Sequence, residues 1–181
     1  MTEAYVVVEL PGRGLGVVAS RPLHRGDVLV AESPLVRLTP NLGRPDVKWF
    51  DDERHARSLL AGLSRSAGNP TKWKWWDKDL DAVVNTNSFT QESGGMVHSY
   101  VFNQVSRFNH SCCANARMIF DGDRELATVR VQRDVAPGTE ITINYGATGS
   151  LSERQQHLRT CFGFTCTCEL CAREATAAKA G

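Results

Sequence analysis

The sequence Cys166-Thr167-Cys168-Glu169-Leu170-Cys171 lies close to the C-terminal end and places three thiols within six residues. Thiolates suit Zn²⁺, and a structural zinc site takes four ligands in a tetrahedron. Reduced surface cysteines are the alternative, but three of them in an otherwise ordinary tail favour a metal. The fourth ligand then has to come from Cys112, Cys113, Cys161 or a histidine. A remote ligand would pin the tail against the body of the domain, and that docking would complete a pocket.

The composition is that of one globular domain, or one domain with a small appendage. Of the 181 residues 41% are apolar, enough for a single packed core. The net charge of +1 predicts no direct binding of nucleic acid, which argues against a small zinc-structured nucleic-acid binder. The start Met1-Thr2-Glu3 carries no secretory signal, and the apolar runs are too short to cross a membrane. We therefore expect a protein of the cytoplasm, the nucleus or both, whose six cysteines are not paired in disulfides.

Short strands broken by turns dominate the pattern at both ends of the sequence. Residues 5–8, 16–19 and 28–32 are rich in β-branched side chains and are separated by glycine and proline. Residues 116–120, 126–131 and 140–144 repeat this pattern, and a hairpin turn is predicted at 121–123. The sequence thus predicts a mostly β fold.

A small helical insertion is predicted between the two groups of strands, over about residues 41–90. Helical spacing places one helix at about 46–63 and a second at about 72–85, where Trp73 and Trp76 are interpreted as core packing. Near the C-terminal end, Ser150 or Ser152 can cap a short helix that runs through Leu158.

The stretch Gly12-Arg13-Gly14-Leu15-Gly16 follows the first predicted strand. Read from Gly14 to Ala19, it satisfies the dinucleotide-binding fingerprint. That fingerprint needs a following helix to bind the pyrophosphate, whereas Pro22 and Gly26 interrupt β-prone residues here. We reject the Rossmann interpretation. The glycines instead make a tight turn or let the backbone approach a ligand closely.

Two further segments carry polar or aromatic side chains of chemical interest. In Arg107-Phe108-Asn109-His110-Ser111-Cys112, the amide and imidazole suit a polar ligand, with a capped turn as the alternative. A thiol nucleophile is disfavoured, because residues two apart in a strand are not expected to hydrogen-bond as a catalytic pair and no orienting third group is evident. Residues 138–146 read as a strand that ends in Tyr145 followed by Gly146.

In this order, the four segments resemble the SET-domain family, and the cysteine cluster resembles its post-SET segment. The resemblance extends over about residues 6–171. Asn87-Ser88-Phe89-Thr90 and Phe162-Gly163-Phe164 are further similar to the SET-and-MYND (SMYD-like) branch. Residues 40–85 hold no cysteine for a MYND finger, and we expect no C-terminal helical domain, so no substrate is carried over from that branch.

The resemblance implies a fold and a domain organisation. The fold is a β-clip of small curved sheets around a pseudoknot, in which the segment near Asn109 passes beneath the chain that leads to Tyr145. We expect a SET domain over residues 1–150, a post-SET zinc segment over 151–175 and a frayed tail over 176–181.

The resemblance also implies roles for individual residues. S-adenosylmethionine would be the methyl donor, contacted by the backbone of Arg13, Gly14, Leu15 and Gly16. Its polar parts would be held by Asn87, Asn109 and His110, and its adenine ring would pack on Phe164. A structural zinc ion would be bound by Cys112, Cys166, Cys168 and Cys171.

Tyr145 would be the catalytic residue, placed where the methyl donor meets the lysine amine. Phe162 and Tyr145 would line the substrate channel. Phe102 and Phe108 are further candidates for its wall, although core packing explains them equally well.

Together these expectations describe a protein-lysine N-methyltransferase that acts as a monomer on a histone or non-histone protein. The alternative is a catalytically inactive, SET-like protein-interaction module in which zinc serves only as a staple. The presence of Tyr145, Asn109 and His110 favours the enzyme.

Overall fold

The structure, a computed structural model, describes residues 3–38, 58, 60–63, 78–93 and 96–180. The strands are β1 Tyr5–Leu10, β2 Gly14–Ala19, β3 Val28–Glu32, β4 Val36–Leu38, β5 Ser88–Ser93, β6 Met96–Val101, β7 Ala116–Asp121, β8 Leu126–Val131 and β9 Glu140–Ile141. The helices are α1 Lys78–Asn87, α2 Leu151–Phe162 and α3 Glu169–Ala180, with a 3₁₀ turn at Val105–Arg107. The predicted mostly β fold is confirmed.

The strands form three small antiparallel sheets, with the orders β1-β2-β9, β3-β8-β7 and β4-β6-β5. Gly12 and Gly14 have φ values of +70° and +66° in the turn that joins β1 to β2. A strand, not a helix, follows this turn, as expected when the Rossmann interpretation was rejected.

The main core lies among β2, β8, the chain before β7 and the chain after β9. Its fully buried members include Val17, Phe102, Phe108, Val129 and Ile143. Phe102 and Phe108 are therefore core residues and do not form a channel wall. Both lie just before or next to Asn109, where the chain crosses itself, so the core fixes that part of the chain.

The chain crosses itself near Asn109, as the predicted pseudoknot requires. We call residues 107–112 the threaded segment. The Ser111 N–H donates to the Ile143 carbonyl, and the Ile143 N–H donates to the Asn109 carbonyl, both at 3.0 Å. His110 and Ile143 thus form a parallel bridge. Predicted strand 140–144 ends at Ile141, because the backbone beyond it pairs with this remote segment.

Several predicted element boundaries differ from those in the structure. The second predicted helix continues to Asn87, and residues 88–93 at the end of the predicted insertion are strand. The hairpin β5–β6 was not predicted, because the polar Ser88–Ser93 stretch lacks apolar alternation. The three-residue strand β4 was not predicted either. Most of the helix expected at 46–63, and Trp73 and Trp76, lie outside the described residues.

The C-terminal helices are longer than expected. Ser150 is the N-cap of α2, with a reciprocal bond to Glu153, and α2 continues past Leu158 until Gly163 turns left-handed at φ +75°. Residues 176–180, expected to fray, are helical within α3. Alanine, abundant there, has the strongest helix propensity of all residues.

Glu32 on β3 holds the 3₁₀ turn that precedes Phe108. Its Oε1 accepts the N–H groups of Gln104 at 2.8 Å and of Val105 at 2.6 Å. Glu32→Ala should lower the free energy of unfolding by about 1–3 kcal/mol, because the buried Val105 N–H loses its acceptor. Thermal melting checks this, and Glu32→Gln, which keeps one acceptor oxygen, should lose less. A wild-type melting temperature in Glu32→Ala would contradict it.

Candidate functional site

Four cysteine sulfurs come together where the C-terminal segment meets the body of the domain. The Sγ atoms of Cys112, Cys166, Cys168 and Cys171 all lie within 4.8 Å of one another. Tetrahedral Zn–S bonds near 2.3 Å place sulfurs about 3.8 Å apart, so this group has the right size and chemistry for one zinc ion. Among the described residues, neither Cys113 nor Cys161 belongs to the group.

Arg154 on α2 supplies positive charge beside these sulfurs. Its buried guanidinium donates to the Glu174 carboxylate at 2.6 Å and to the Cys171 Sγ at 3.8 Å. Burial raises the pKa of Cys112. At Cys168 burial is outweighed by hydrogen bonds, the largest from the Cys171 N–H, and the pKa falls to about 6. A nearby cation favours thiolates, which are the form that binds a metal.

The Tyr145 side chain lies at the centre of the site. Its hydroxyl donates to the Phe108 carbonyl at 2.7 Å, and its ring centroid is 4.9 Å from that of Phe162. Burial raises the pKa of the phenol above its usual value near 10, so the phenol stays neutral at physiological pH. Because the single O–H is used by Phe108, the oxygen lone pairs remain to accept from a bound group.

Both ring nitrogens of the buried His110 have partners within the protein. Nδ1 accepts the Tyr145 N–H at 3.1 Å, and Nε2 lies 3.3 Å from the Cys112 Sγ. Burial, together with the charge of Arg13, lowers the pKa of His110 to about 4. The expectation that His110 and Cys112 do not hydrogen-bond is therefore wrong, because the chain is not a regular strand there. Cys112 nevertheless faces three other sulfurs, an arrangement suited to a metal ligand.

The glycine-rich turn is fastened to the threaded segment through Asn109. The Asn109 Nδ2 donates to the Leu15 carbonyl at 3.1 Å and to Glu140 Oε1 at 3.0 Å. A Cβ at Gly16 would stand 2.8 Å from that Nδ2, so a larger residue would push the Asn109 side chain away. The Arg13 guanidinium pairs with the other Glu140 oxygen at 2.7 Å.

The glycine-rich turn, the threaded segment and residues 164–169 line a cavity of about 650 Å³. We call it the large cavity. Four of the predicted donor-binding residues line it, together with Tyr145: Arg13, Asn109, His110 and Phe164. Gly14, Leu15 and Gly16 do not line it, although Leu15 and Gly16 contact Asn109. Residues 164–169 form one continuous wall, which the four-cysteine group ties to the domain.

Tyr145 also lines a second cavity of about 20 Å³, which we call the small cavity. Phe89, Phe162 and Tyr145 form its aromatic wall, and Asn87 lines it as well. Asn87 was expected to hold the methyl donor, but its Nδ2 donates to the Val83 carbonyl of its own helix at 2.7 Å. The structure therefore places Asn87 at the small cavity and not at the large one.

Comparison with known proteins places this geometry in a family. The family model described as "SET domain" matches residues 14–146, well over half of the chain. The chain belongs to the SET-domain family. The segment near Asn109, Tyr145 and strand β2 fall within the matched residues, whereas Gly12 and Arg13 of the glycine-rich turn precede them. The four-cysteine group combines one SET-domain residue, Cys112, with three from the segment that follows it.

Individual SET-domain proteins are similar over different parts of the chain. The histone-lysine N-methyltransferase set5 of Schizosaccharomyces pombe is 29% identical over 96% of this chain and 52% of its own length. The human N-lysine methyltransferase SMYD2 is 37% identical over 51% of this chain and 22% of its own. The chain thus spans about half the length of set5 and less than a quarter of SMYD2.

A solved structure supports the same fold. The SET domain of LSMT, solved bound to lysine and AdoHcy, aligns with a TM-score of 0.56 and 13% sequence identity over 91% of this chain and 53% of that one. In the part of the SET-domain chain that the structure describes, no helix is long and apolar enough to cross a membrane.

Several residues at the SET-domain site were not predicted from the sequence. Glu140 bonds both Asn109 and Arg13, Arg154 reaches Cys171, and His157 donates to the Tyr145 carbonyl. Two of these, Arg154 and His157, lie on α2 after the matched segment. The sequence offered a signal for Arg154 alone, which is a charged residue on the apolar face of the capped helix α2.

Proposed function

We propose that this SET-domain protein transfers methyl groups from S-adenosylmethionine to lysine side chains of proteins. One observation carries the proposal: Tyr145 lines both the large cavity and the small cavity. An in-line displacement needs the nucleophile and the leaving group on opposite sides of the transferred carbon. The two cavities suit these two reactants.

The large cavity suits the methyl donor. Its volume of about 650 Å³ is in the usual range for small-molecule sites, about 300–1,000 Å³. Its wall offers an amide at Asn109, charged groups at Arg13 and Glu140 and an aromatic ring at Phe164. These groups match a donor that combines an amino acid, a ribose and an adenine ring.

The small cavity suits the end of a lysine side chain. Apart from Asn87 and small hydroxyl residues, aromatic rings surround it, and none of its lining residues is charged. A free lysine has a pKa of about 10.4, and only the neutral amine can attack. Removal from water among rings, and the positive sulfonium nearby, both lower that pKa. The amine can therefore lose its proton to solvent as it enters.

In the transfer step the amine nitrogen forms a bond to the methyl carbon while the carbon–sulfur bond breaks. The electron pair of that bond goes to sulfur, which neutralises the sulfonium and leaves S-adenosylhomocysteine. Tyr145 does not act as the base, because burial raises the pKa of its phenol. Its oxygen instead accepts from the amine or from the polarised methyl C–H groups, and so aligns the reactants.

We further propose that Cys112, Cys166, Cys168 and Cys171 hold one structural zinc ion. When bound, the ion would lock the wall at residues 164–169 against the threaded segment. The proposed substrates are proteins of the cytoplasm or nucleus, and the proposed active form is a monomer.

Thermal melting with S-adenosylmethionine tests the donor site. At about 100 times its dissociation constant, a ligand that binds only the folded state adds about 2.7 kcal/mol. For a chain of this size the melting temperature should rise by about 5–10 °C. Phe164→Ala should reduce this rise, whereas Phe120→Ala, which removes a ring outside both cavities, should keep it.

Incubation with radiolabelled donor and a peptide array then tests the transfer itself. Label on peptides that contain lysine, and not on matched peptides with arginine in its place, is the expected result. A rise in melting temperature without any label would favour the inactive interaction module. Neither a rise nor any label would contradict the proposed function.

A further inference from the structure

The Tyr145 peptide is held by an imidazole on each side. Its N–H donates to the His110 Nδ1 at 3.1 Å, and its carbonyl oxygen lies 3.1 Å from the His157 Nε2. A carbonyl only accepts, so the His157 Nε2 must carry a hydrogen. His110 belongs to the threaded segment, while His157 lies on α2, after the segment that the SET-domain family model matches.

At Tyr145 the two imidazole contacts take the place of the backbone hydrogen bonds that a longer strand β9 would make. Strand β9 ends at Ile141, and beyond the bridge at Ile143 the chain turns at Gly146, where φ is +84°. The orientation of a side chain follows that of its own peptide. The two imidazoles therefore help to set the direction of the Tyr145 hydroxyl, which is also fixed by its hydrogen bond to the Phe108 carbonyl.

Helix α2 positions His157 beside the Tyr145 carbonyl. The capping box at Ser150 and the left-handed Gly163 define both of its ends. The His157 ring also packs edge-on against Phe162, with centroids 5.9 Å apart, and Phe162 in turn contacts the Tyr145 ring. The other ring nitrogen of His157 lies 3.8 Å from the Cys161 Sγ.

We infer that His157 is a positioning residue for methyl transfer, which acts by donating from Nε2 to the Tyr145 carbonyl and thereby aligns the phenol between the two cavities. The inference rests on the proposed function. His157 lines neither cavity, so it acts on the reaction through Tyr145 and not through the donor or the lysine. A displacement of about 1 Å at a reacting centre can cost about 100-fold in rate.

Two substitutions separate the hydrogen bond from the packing. His157→Phe keeps a ring beside Phe162 but removes the donor, and it should lower the single-turnover rate about 10- to 100-fold. His157→Gln offers an amide N–H in its place and should recover a large part of that loss. His24→Phe is the matched control, since His24 is exposed and lines neither cavity, and its rate should stay at the wild-type level.

The decisive pattern is a fall in rate without a fall in binding. For His157→Phe we expect a donor dissociation constant within about twofold of wild type, unchanged zinc content and partial rescue by His157→Gln. A wild-type rate in His157→Phe would overturn the inference. So would a loss of rate that parallels loss of zinc or of donor binding, because that would show a merely structural role.

Nitrogen-15 NMR of the histidine rings gives a readout that does not depend on activity. The wild-type spectrum should show His157 with its hydrogen on Nε2 and a bare Nδ1. The opposite tautomer would overturn the inference even in an active enzyme. If the chain methylates no peptide, the proposed function fails and the positioning role fails with it, but an Nε2–H tautomer would still separate that failure from an error in the geometry.

Discussion

Tyr145→Phe should lower the single-turnover rate of methyl transfer by about 100- to 1,000-fold, the usual effect of removing one polar group aimed at a transition state. The substitution removes the oxygen that is proposed to accept from the reactants and keeps the ring that packs on Phe162. Donor affinity should change less than about twofold, because the ring still lines the large cavity. Transfer from labelled donor and calorimetric titration of the donor measure the two effects.

The Phe108 carbonyl loses its hydrogen-bond donor in this variant, so a moderate loss of stability has to be separated from the loss of chemistry. Tyr5→Phe is the matched control. The Tyr5 hydroxyl also makes a hydrogen bond, to Gln104 at 2.5 Å, but Tyr5 lines neither cavity. Its transfer rate should stay near wild type. A wild-type rate in Tyr145→Phe would remove Tyr145 from its assigned catalytic role.

Cys168→Ser should release the proposed zinc ion and weaken donor binding at least about tenfold. A structural zinc ion contributes folding free energy directly, about 10–16 kcal/mol in isolated zinc-finger peptides. Here its loss would free residues 164–169, which form one wall of the large cavity. The melting temperature should fall as well. Metal content by mass spectrometry and donor affinity by calorimetry test this prediction.

Cys161→Ser provides the control for zinc loss, because Cys161 lies in the same part of the chain but outside the four-sulfur group. It should keep one zinc ion per chain and native donor affinity. Unchanged zinc content in Cys168→Ser would contradict the proposed ligand set. Full donor affinity in a zinc-free variant would contradict the link between the metal and the cavity wall.

The local features of this SET-domain protein followed from the sequence because they depend on near neighbours. Cys166, Cys168 and Cys171 lie within six residues, so their spacing alone indicated a metal. The β-branched runs and glycine turns placed six of the strands, and Ser150 or Ser152 marked the start of α2, which Ser150 caps. Boundaries shifted where remote pairing intervened, as after Ile141.

The roles at the site were harder to predict, because they depend on contacts between residues far apart in the chain. His110 was expected to hold the methyl donor; it lines the large cavity, and its two ring nitrogens contact Tyr145 and Cys112. Asn87 was expected beside it and lies at the small cavity. Neither outcome can be read from residue type, since amide and imidazole groups suit a ligand and a protein partner equally well.

The sequence by itself determined the three clustered thiols, the mostly β pattern and the order of segments that identifies the family. Spacing left the fourth thiol open, the family resemblance indicated Cys112, and the tertiary structure brings the Cys112 sulfur to the other three. Only the tertiary structure put Glu140 on Asn109 and His157 on Tyr145. Periodicity and spacing report on residues within a few positions of one another. The crossing of the chain near Asn109 joins segments more than thirty residues apart, and that crossing decides which side chains meet.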